Sequence, residues 1–375
     1  MNTNSISRRK FAQLLGAGAA VSFVRPSLSL AKSQPATPAK SPITGIVRLN
    51  ANENPYGPSA RALKAMNDSF GVACRYPFEQ NDLLIEKIAK LNAVASDQVL
   101  LGDGSGEILK LCAETFTGPS QGKLVAADPT FESILDHAKV FGAEIAKIPL
   151  TSSFAHDLDK MAAASSHGLI YICNPNNPTA SITPKNELRE FITRTPAETM
   201  ILVDEAYFHY ADSSEYESVI PIIKDHPNLI VARTFSKIYG MAGLRCGYCI
   251  GQKEAIDKLR PHQAWDSVNI MALAAASASL DDADQVANGR RLNAEAKTFV
   301  SSELDKMGFK LIPSQANFIM FDCKRPVVPL IQAMKEKNVQ VGRLFPALPN
   351  HMRLTIGKKS EMEAFLAAFH QIIST

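Results

Sequence analysis

The chain reads as an α/β protein with a mostly parallel sheet covered by helices on both faces, followed by a smaller α+β region. Between about Asp97 and Gly251, apolar runs near 98–101, 123–126, 168–173, 199–203, 229–232 and 246–250 alternate with helical patterns or loops, the texture of repeated strand–helix–strand units. Several of these runs are apolar throughout rather than alternating, as strands buried on both faces must be. From about Asp284 the texture changes to a long amphipathic helix, short strands near 309–312 and 317–321, a helix through Lys337, a strand near 352–356 and a final helix.

With 375 residues, 46% of them hydrophobic, the chain can bury a core large enough for two domains. The net charge of +3 is a property of its start: no Asp or Glu precedes Glu53, and setting aside Arg8, Arg9, Lys10 and Arg25 leaves −1. So neutral a body argues against electrostatic capture of nucleic acid or anionic lipid.

Ser7-Arg8-Arg9-Lys10-Phe11 precedes an apolar stretch ending at Val24, and Ser29-Leu30-Ala31 offers small residues for cleavage. This order is that of a twin-arginine export signal spanning 1–31, and the stretch is too short to cross a membrane. The expectation is a periplasmic protein that meets the twin-arginine translocase during export. A Pro-rich polar spacer, 32–45, follows and has nothing to bury.

Of the six cysteines, Cys112, Cys173, Cys246, Cys249 and Cys323 sit in apolar runs, as buried free thiols do. Cys246 and Cys249 have the spacing of a redox or metal pair, but on a strand positions three apart face opposite sides. No second pair or histidine cluster completes a zinc site, so no metal is expected.

Three places carry chemistry. Asp204 ends the run Thr199-Met200-Ile201-Leu202-Val203, so its carboxylate emerges at the carboxyl end of a parallel strand, where open α/β sheets bind ligands. Ser236-Lys237 follows another such run, placing an amine beside it. Gly102-Asp103-Gly104-Ser105-Gly106-Glu107 links a strand to a helix, so the free N–H groups of Gly104, Ser105 and Gly106 would meet an anion at the positive end of the helix dipole. An aldehyde cofactor such as pyridoxal phosphate needs this set: an amine to hold it, a carboxylate for its ring nitrogen, and donors for its phosphate.

Leu49-Asn50-Ala51-Asn52-Glu53-Asn54-Pro55, Asn174-Pro175-Asn176-Asn177-Pro178-Thr179, Asp204-Glu205-Ala206-Tyr207, Ser236-Lys237 with Arg245, and Arg353-Leu354-Thr355-Ile356-Gly357 stand in register. In these segments the chain, from about Val47 to its end, resembles pyridoxal-phosphate aminotransferases of fold type I, class I and II, and especially the histidinol-phosphate aminotransferases. The resemblance implies a large domain at 76–283 with a mostly parallel seven-stranded sheet, a small C-terminal domain at 284–375, and a segment at 46–75 joining the small domain. It implies a homodimer in which Tyr76 reaches the phosphate held by the partner subunit.

Residue by residue, it assigns Lys237 as the Schiff-base amine and proton shuttle, and Asp204 as partner of the ring nitrogen. Asn177 and Tyr207 match the donors to the ring oxygen, Phe131 the stacking aromatic, and Ser236 and Arg245 the phosphate ligands. Arg353 matches the arginine for the substrate α-carboxylate, Arg343 the one near a substrate phosphate, and Asn52 lies in a substrate-binding segment. Gly106 replaces a usual acidic residue, and Ala180 a usual glycine. The implied reaction moves an amino group from an amino acid or histidinol phosphate to 2-oxoglutarate or a similar oxo acid. Export suits a broader or aromatic amino donor equally well; a decarboxylase or lyase would share every cofactor residue, and an exported binding protein would need none of the chemistry.

Overall fold

The structure, a computed structural model, describes residues 45–374. The expected export signal and all but the last residue of the spacer lie outside the described residues. Strand β1 (Val47–Arg48) is followed by β2 (Val99–Gly102), β3 (Lys123–Asp128), β4 (Ile145–Pro149), β5 (Gly168–Cys173), β6 (Thr199–Asp204), β7 (Leu229–Thr234) and β8 (Gly247–Gly251). Strands β2 to β8 form one seven-stranded sheet in the order β2-β8-β7-β6-β5-β3-β4. Strand β8 runs against its two neighbours and the other pairs are parallel.

The apolar runs became strands because each side chain has a core to enter. Ile170, Ile201, Val203, Val231 and Ile250 pack on one face with the helices Phe78–Asn92 and Lys185–Arg194. Leu169, Tyr171, Leu202, Ile230 and Cys249 pack on the other, with the helices Ser105–Phe116 and Lys253–Leu259. Every residue of β5, β6 and β7 is buried, which is why their sequences show no polar alternation. Cys246 and Cys249 fall in opposite cores. Within this sheet the strand not anticipated from the sequence is β4, an edge strand of mixed burial whose Ile-Ala-Lys-Ile-Pro carries too little apolar signal.

The carboxyl-terminal part builds a second core. Strands β9 (Leu311–Ile312), β10 (Phe318–Asp322) and β12 (His351–Thr355) make an antiparallel sheet in the order β12-β10-β9, and β11 (Val339–Gln340) pairs in parallel with β1. Phe309, Phe321, Phe365 and Phe369 interlock at its centre, each such ring contributing about 1.5–3 kcal/mol by burial.

Residues 46–75 divide between the two cores. Leu49 is buried in the small one, whereas Ala62, on the helix Ala60–Ser69, is buried in the large one with Ala272 and Leu273. The intervening chain, with Asn52, therefore crosses from one to the other. Gly240 marks how closely it passes: a Cβ there would lie 2.2 Å from the backbone carbon of Gly57.

Candidate active site

Parallel packing brings the ends of β5, β6 and β7 to one edge of the sheet, and a cavity of about 460 Å³ opens there. It is lined by Lys237, Asp204, Tyr207, Asn177, Ser236 and Arg245, by Ser105, Gly106 and Phe131, and by Asn52, Arg343 and Arg353 from the N-terminal and small-core segments.

Asp204 is 2% exposed. It accepts a hydrogen bond from the Tyr171 hydroxyl at 2.9 Å and one from the backbone N–H of Ala206 at 3.1 Å. Burial pushes its carboxyl up to about 6, against the opposing pull of these bonds and of Lys237. Lys237 is half-buried and donates to the carbonyl of Asn52 at 3.2 Å. Burial, then the cation of Arg353, draws its amine down to about 8, while Glu53 and Asp204 pull the other way. The neighbouring Glu205 does not join the site; it is locked to Arg233 at 2.8 Å in a buried ion pair with Ser218 beside it.

The Tyr207 hydroxyl accepts from Asn52 Nδ2 at 3.1 Å and from Asn177 Nδ2 at 3.5 Å. With both bonds accepted, its own proton has no partner among the described residues and is available to the cavity. Burial holds the phenol above its ordinary range, and so protonated. Asn52 adopts φ 54° and is pinned by Thr355, whose hydroxyl accepts from its N–H at 2.9 Å and donates to its Oδ1 at 3.2 Å.

Strand period places Arg353 and Thr355 on the face of β12 opposite Met352 and Leu354, which enter the small core. Arg353 is 9% exposed and donates to Asn177 Oδ1 at 2.8 Å and to the carbonyl of Asn50 at 2.6 Å. Its Nε has no partner among the described residues, and burial lowers its guanidinium to about 10. A buried cation facing only neutral acceptors is a ready carboxylate site.

At the opposite wall the helix Ser105–Phe116 follows Gly104, φ 75°, with no side-chain cap, leaving the N–H groups of Ser105 and Gly106 open; that of Gly104, expected to be free, donates instead to the Gly102 carbonyl at 2.7 Å, closing the tight turn. Arg245, itself at φ 59°, reaches over this turn, donating to Ser236 Oγ at 3.4 Å and to the carbonyls of Ala242 and Asp103 at 3.0 and 3.3 Å. A Cβ on Gly104 would sit 2.1 Å from Arg245 Nη2, so glycine is what lets the guanidinium come this close to the helix start. Glu107 does not replace the acidic residue absent at Gly106, because its carboxylate is taken by the N–H of Asp103 and the hydroxyl of Ser267.

Two expected residues stand apart. Tyr76 is 72% exposed and outside the cavity, stacked on Phe78 at 5.8 Å and Trp265 at 6.2 Å. Ala180, buried at φ 58°, holds the left-handed backbone that a glycine would adopt without a Cβ penalty. The sequence reading passed over Tyr171, Thr355 and Glu132. Thr355 was accessible by the two-residue strand period from Arg353; Tyr171 reaches Asp204 from the neighbouring strand, a relation that exists only once β5 and β6 are in register.

The family described as aminotransferase class I and II matches residues 44–369. The chain belongs to the class I and II aminotransferases. Over 326 residues it is 36% identical to the histidinol-phosphate aminotransferase of Symbiobacterium thermophilum, covering 86% of this chain and 89% of that one. It is likewise 36% identical over 332 residues to histidinol-phosphate aminotransferase 2 of Pseudomonas aeruginosa, covering 88% and 89%. Among solved structures, histidinol-phosphate aminotransferase from Sinorhizobium meliloti in complex with pyridoxal-5'-phosphate superposes with a TM-score of 0.80 at 25% identity, covering 88% of this chain and 91% of that one. The fold is therefore that of the fold type I aminotransferases, whose cofactor is pyridoxal phosphate. The donor set fits that group: an amine of lowered pKa, a buried carboxylate, an unpartnered phenol proton, and an uncapped helix start under an arginine.

Proposed function

We propose that this aminotransferase is an exported, homodimeric enzyme that moves an amino group from an amino acid or histidinol phosphate to 2-oxoglutarate or a similar oxo acid. The observation that carries the reading is that Lys237 and Asp204 line the same cavity, between an anion cradle and the buried cation of Arg353. Bound there, pyridoxal phosphate supplies an electrophilic carbonyl and a ring that takes up the electrons of the substrate Cα–H bond.

The chain's own groups do the rest. Lys237, close to half neutral near pH 8, serves as nucleophile and then carries the proton to and from the substrate Cα. Asp204 keeps the ring nitrogen charged, and the free proton of Tyr207 meets the ring oxygen. The N–H groups of Ser105 and Gly106, with Ser236 and Arg245, hold the phosphate, and Phe131 offers the ring face. Arg353 takes the substrate α-carboxylate in a two-pronged grip, with Asn52 and Arg343 completing the substrate wall.

Dimerisation is supported by the exposed stack of Tyr76, Phe78 and Trp265, the last 82% exposed, a patch that a second copy would cover. Sedimentation at twice the chain mass is expected; a monomer that turns over at full rate would reject the shared Tyr76. Export rests on the order of residues in 1–31, and protein found uncleaved and confined to the cytoplasm would reject it.

The reaction class has a direct test. Purified enzyme given an amino donor without an oxo acid should change its visible absorbance once, in proportion to active sites, and recover on addition of 2-oxoglutarate. Continuous release of carbon dioxide with no need for an oxo acid would instead make it a decarboxylase.

A further inference from the structure

At the outer edge of the cavity the second substrate-side cation is already paired. Arg343 donates through Nη2 to Oε2 of Glu132 and through Nη1 to the carbonyl of Leu344 at 2.9 Å, with its guanidinium 4.4 Å from the centre of the Phe345 ring. Glu132 stands on the loop after β3, next to Phe131, and Arg343 follows β11, so the pair joins the large-sheet wall to the small core across the cavity, which Phe131, Glu132, Arg343 and Phe345 all line. The inner cation is different in kind. Arg353 faces the neutral oxygens of Asn177 and Asn50, with no carboxylate of the described residues paired to it.

A substrate thus meets one uncompensated cation where its α-carboxylate goes and a neutralised one where its side chain goes. We propose that Glu132 is a specificity-determining residue that, by neutralising Arg343, ranks amino donors with uncharged, ring-bearing side chains above those with a distal phosphate or carboxylate. The inference rests on the aminotransferase reading above. A distal anion is repelled by Glu132 until it displaces that carboxylate from Arg343. Displacement is feasible because the pair is partly solvated, with side chains 38% and 55% exposed, and ion pairs of that kind are weak. An acceptor such as 2-oxoglutarate therefore enters by the same exchange. Phe131 and Phe345 supply the apolar surface that an aromatic side chain would cover.

The test uses holoenzyme and two unreactive acids, glutarate with a distal carboxylate and hydrocinnamate with a ring, titrated calorimetrically. Glu132→Gln should shift the preference about tenfold toward glutarate, and adding Arg343→Gln should abolish that gain. The kcat/KM ratio for a phosphate-bearing donor against phenylalanine should move in the same sense. An unchanged glutarate-to-hydrocinnamate ratio in Glu132→Gln, or a gain that survives loss of Arg343, overturns the proposal. If the unsubstituted enzyme turns over no donor at all, the aminotransferase reading fails, while the acid titrations still decide the role of Glu132.

Discussion

Lys237→Ala is expected to lower turnover by at least about 10⁴-fold and to remove the visible absorbance that marks covalently held cofactor. Two functions vanish together, since the same amine holds the cofactor and carries the substrate proton; it lines the cavity and donates to the Asn52 carbonyl rather than packing as a core residue. The folded state should survive, because the cradle and the Asp204 pocket do not depend on that side chain. A small exogenous amine such as methylamine, able to enter the vacated space, should restore part of the activity; a variant damaged only in structure would not respond. In the unsubstituted chain, reaction of cofactor-free protein with pyridoxal phosphate should speed up as pH rises through about 8, where Lys237 loses its proton. Full activity in Lys237→Ala would refute the nucleophile, and an unaltered protein with no chemistry to lose would point to a binding role.

The second large effect is at Asp204, where function and stability pull in opposite directions. Asp204→Asn should cost roughly 10³-fold in turnover, the scale of removing one preorganised charge from a dry site. In the cofactor-free protein the same change should be stabilising at pH 8. The folded carboxyl titrates near 6, above its value near 4 in the unfolded chain. Between those values the folded state keeps a proton that the unfolded state has lost, so this group's contribution to stability falls as pH rises through the window. Above it, the buried charge costs on the order of 3 kcal/mol. Asparagine can keep the Ala206 N–H bond on its Oδ1 and donate through Nδ2 to the Tyr171 hydroxyl, without that charge. Thermal melts of both cofactor-free proteins should show the variant a few degrees higher at pH 8 and level with the parent near pH 4. A variant that melts lower at pH 8, or retains near-normal turnover, would show that Asp204 is not an isolated buried anion facing the ring.

Much of the fold was legible because strands of a doubly covered parallel sheet must be apolar along their whole length. The runs at 168–173, 199–203 and 229–232 announced themselves that way, and the strands they form end in Cys173, Asp204 and Thr234 of the cavity wall. β4 was invisible because an edge strand buries only part of its surface. The anion cradle was legible from glycines between a strand and a helix, yet the reason for Gly104 was not: it is the approach of Arg245, a residue far along the chain.

What local sequence determined was which chemical groups stand at the strand ends and at the helix start, since strand period decides which side chain leaves the sheet and a glycine before Ser105 offers that helix no side-chain cap. The contacts that tune that chemistry belong to the tertiary structure: Tyr171 on Asp204, Asn52 on Tyr207, Asn177 on Arg353 and Glu132 on Arg343. Each joins segments separated by dozens to hundreds of positions. Burial and pairing are properties of neighbours, and neighbours across strands and between two cores exist only after the chain has folded.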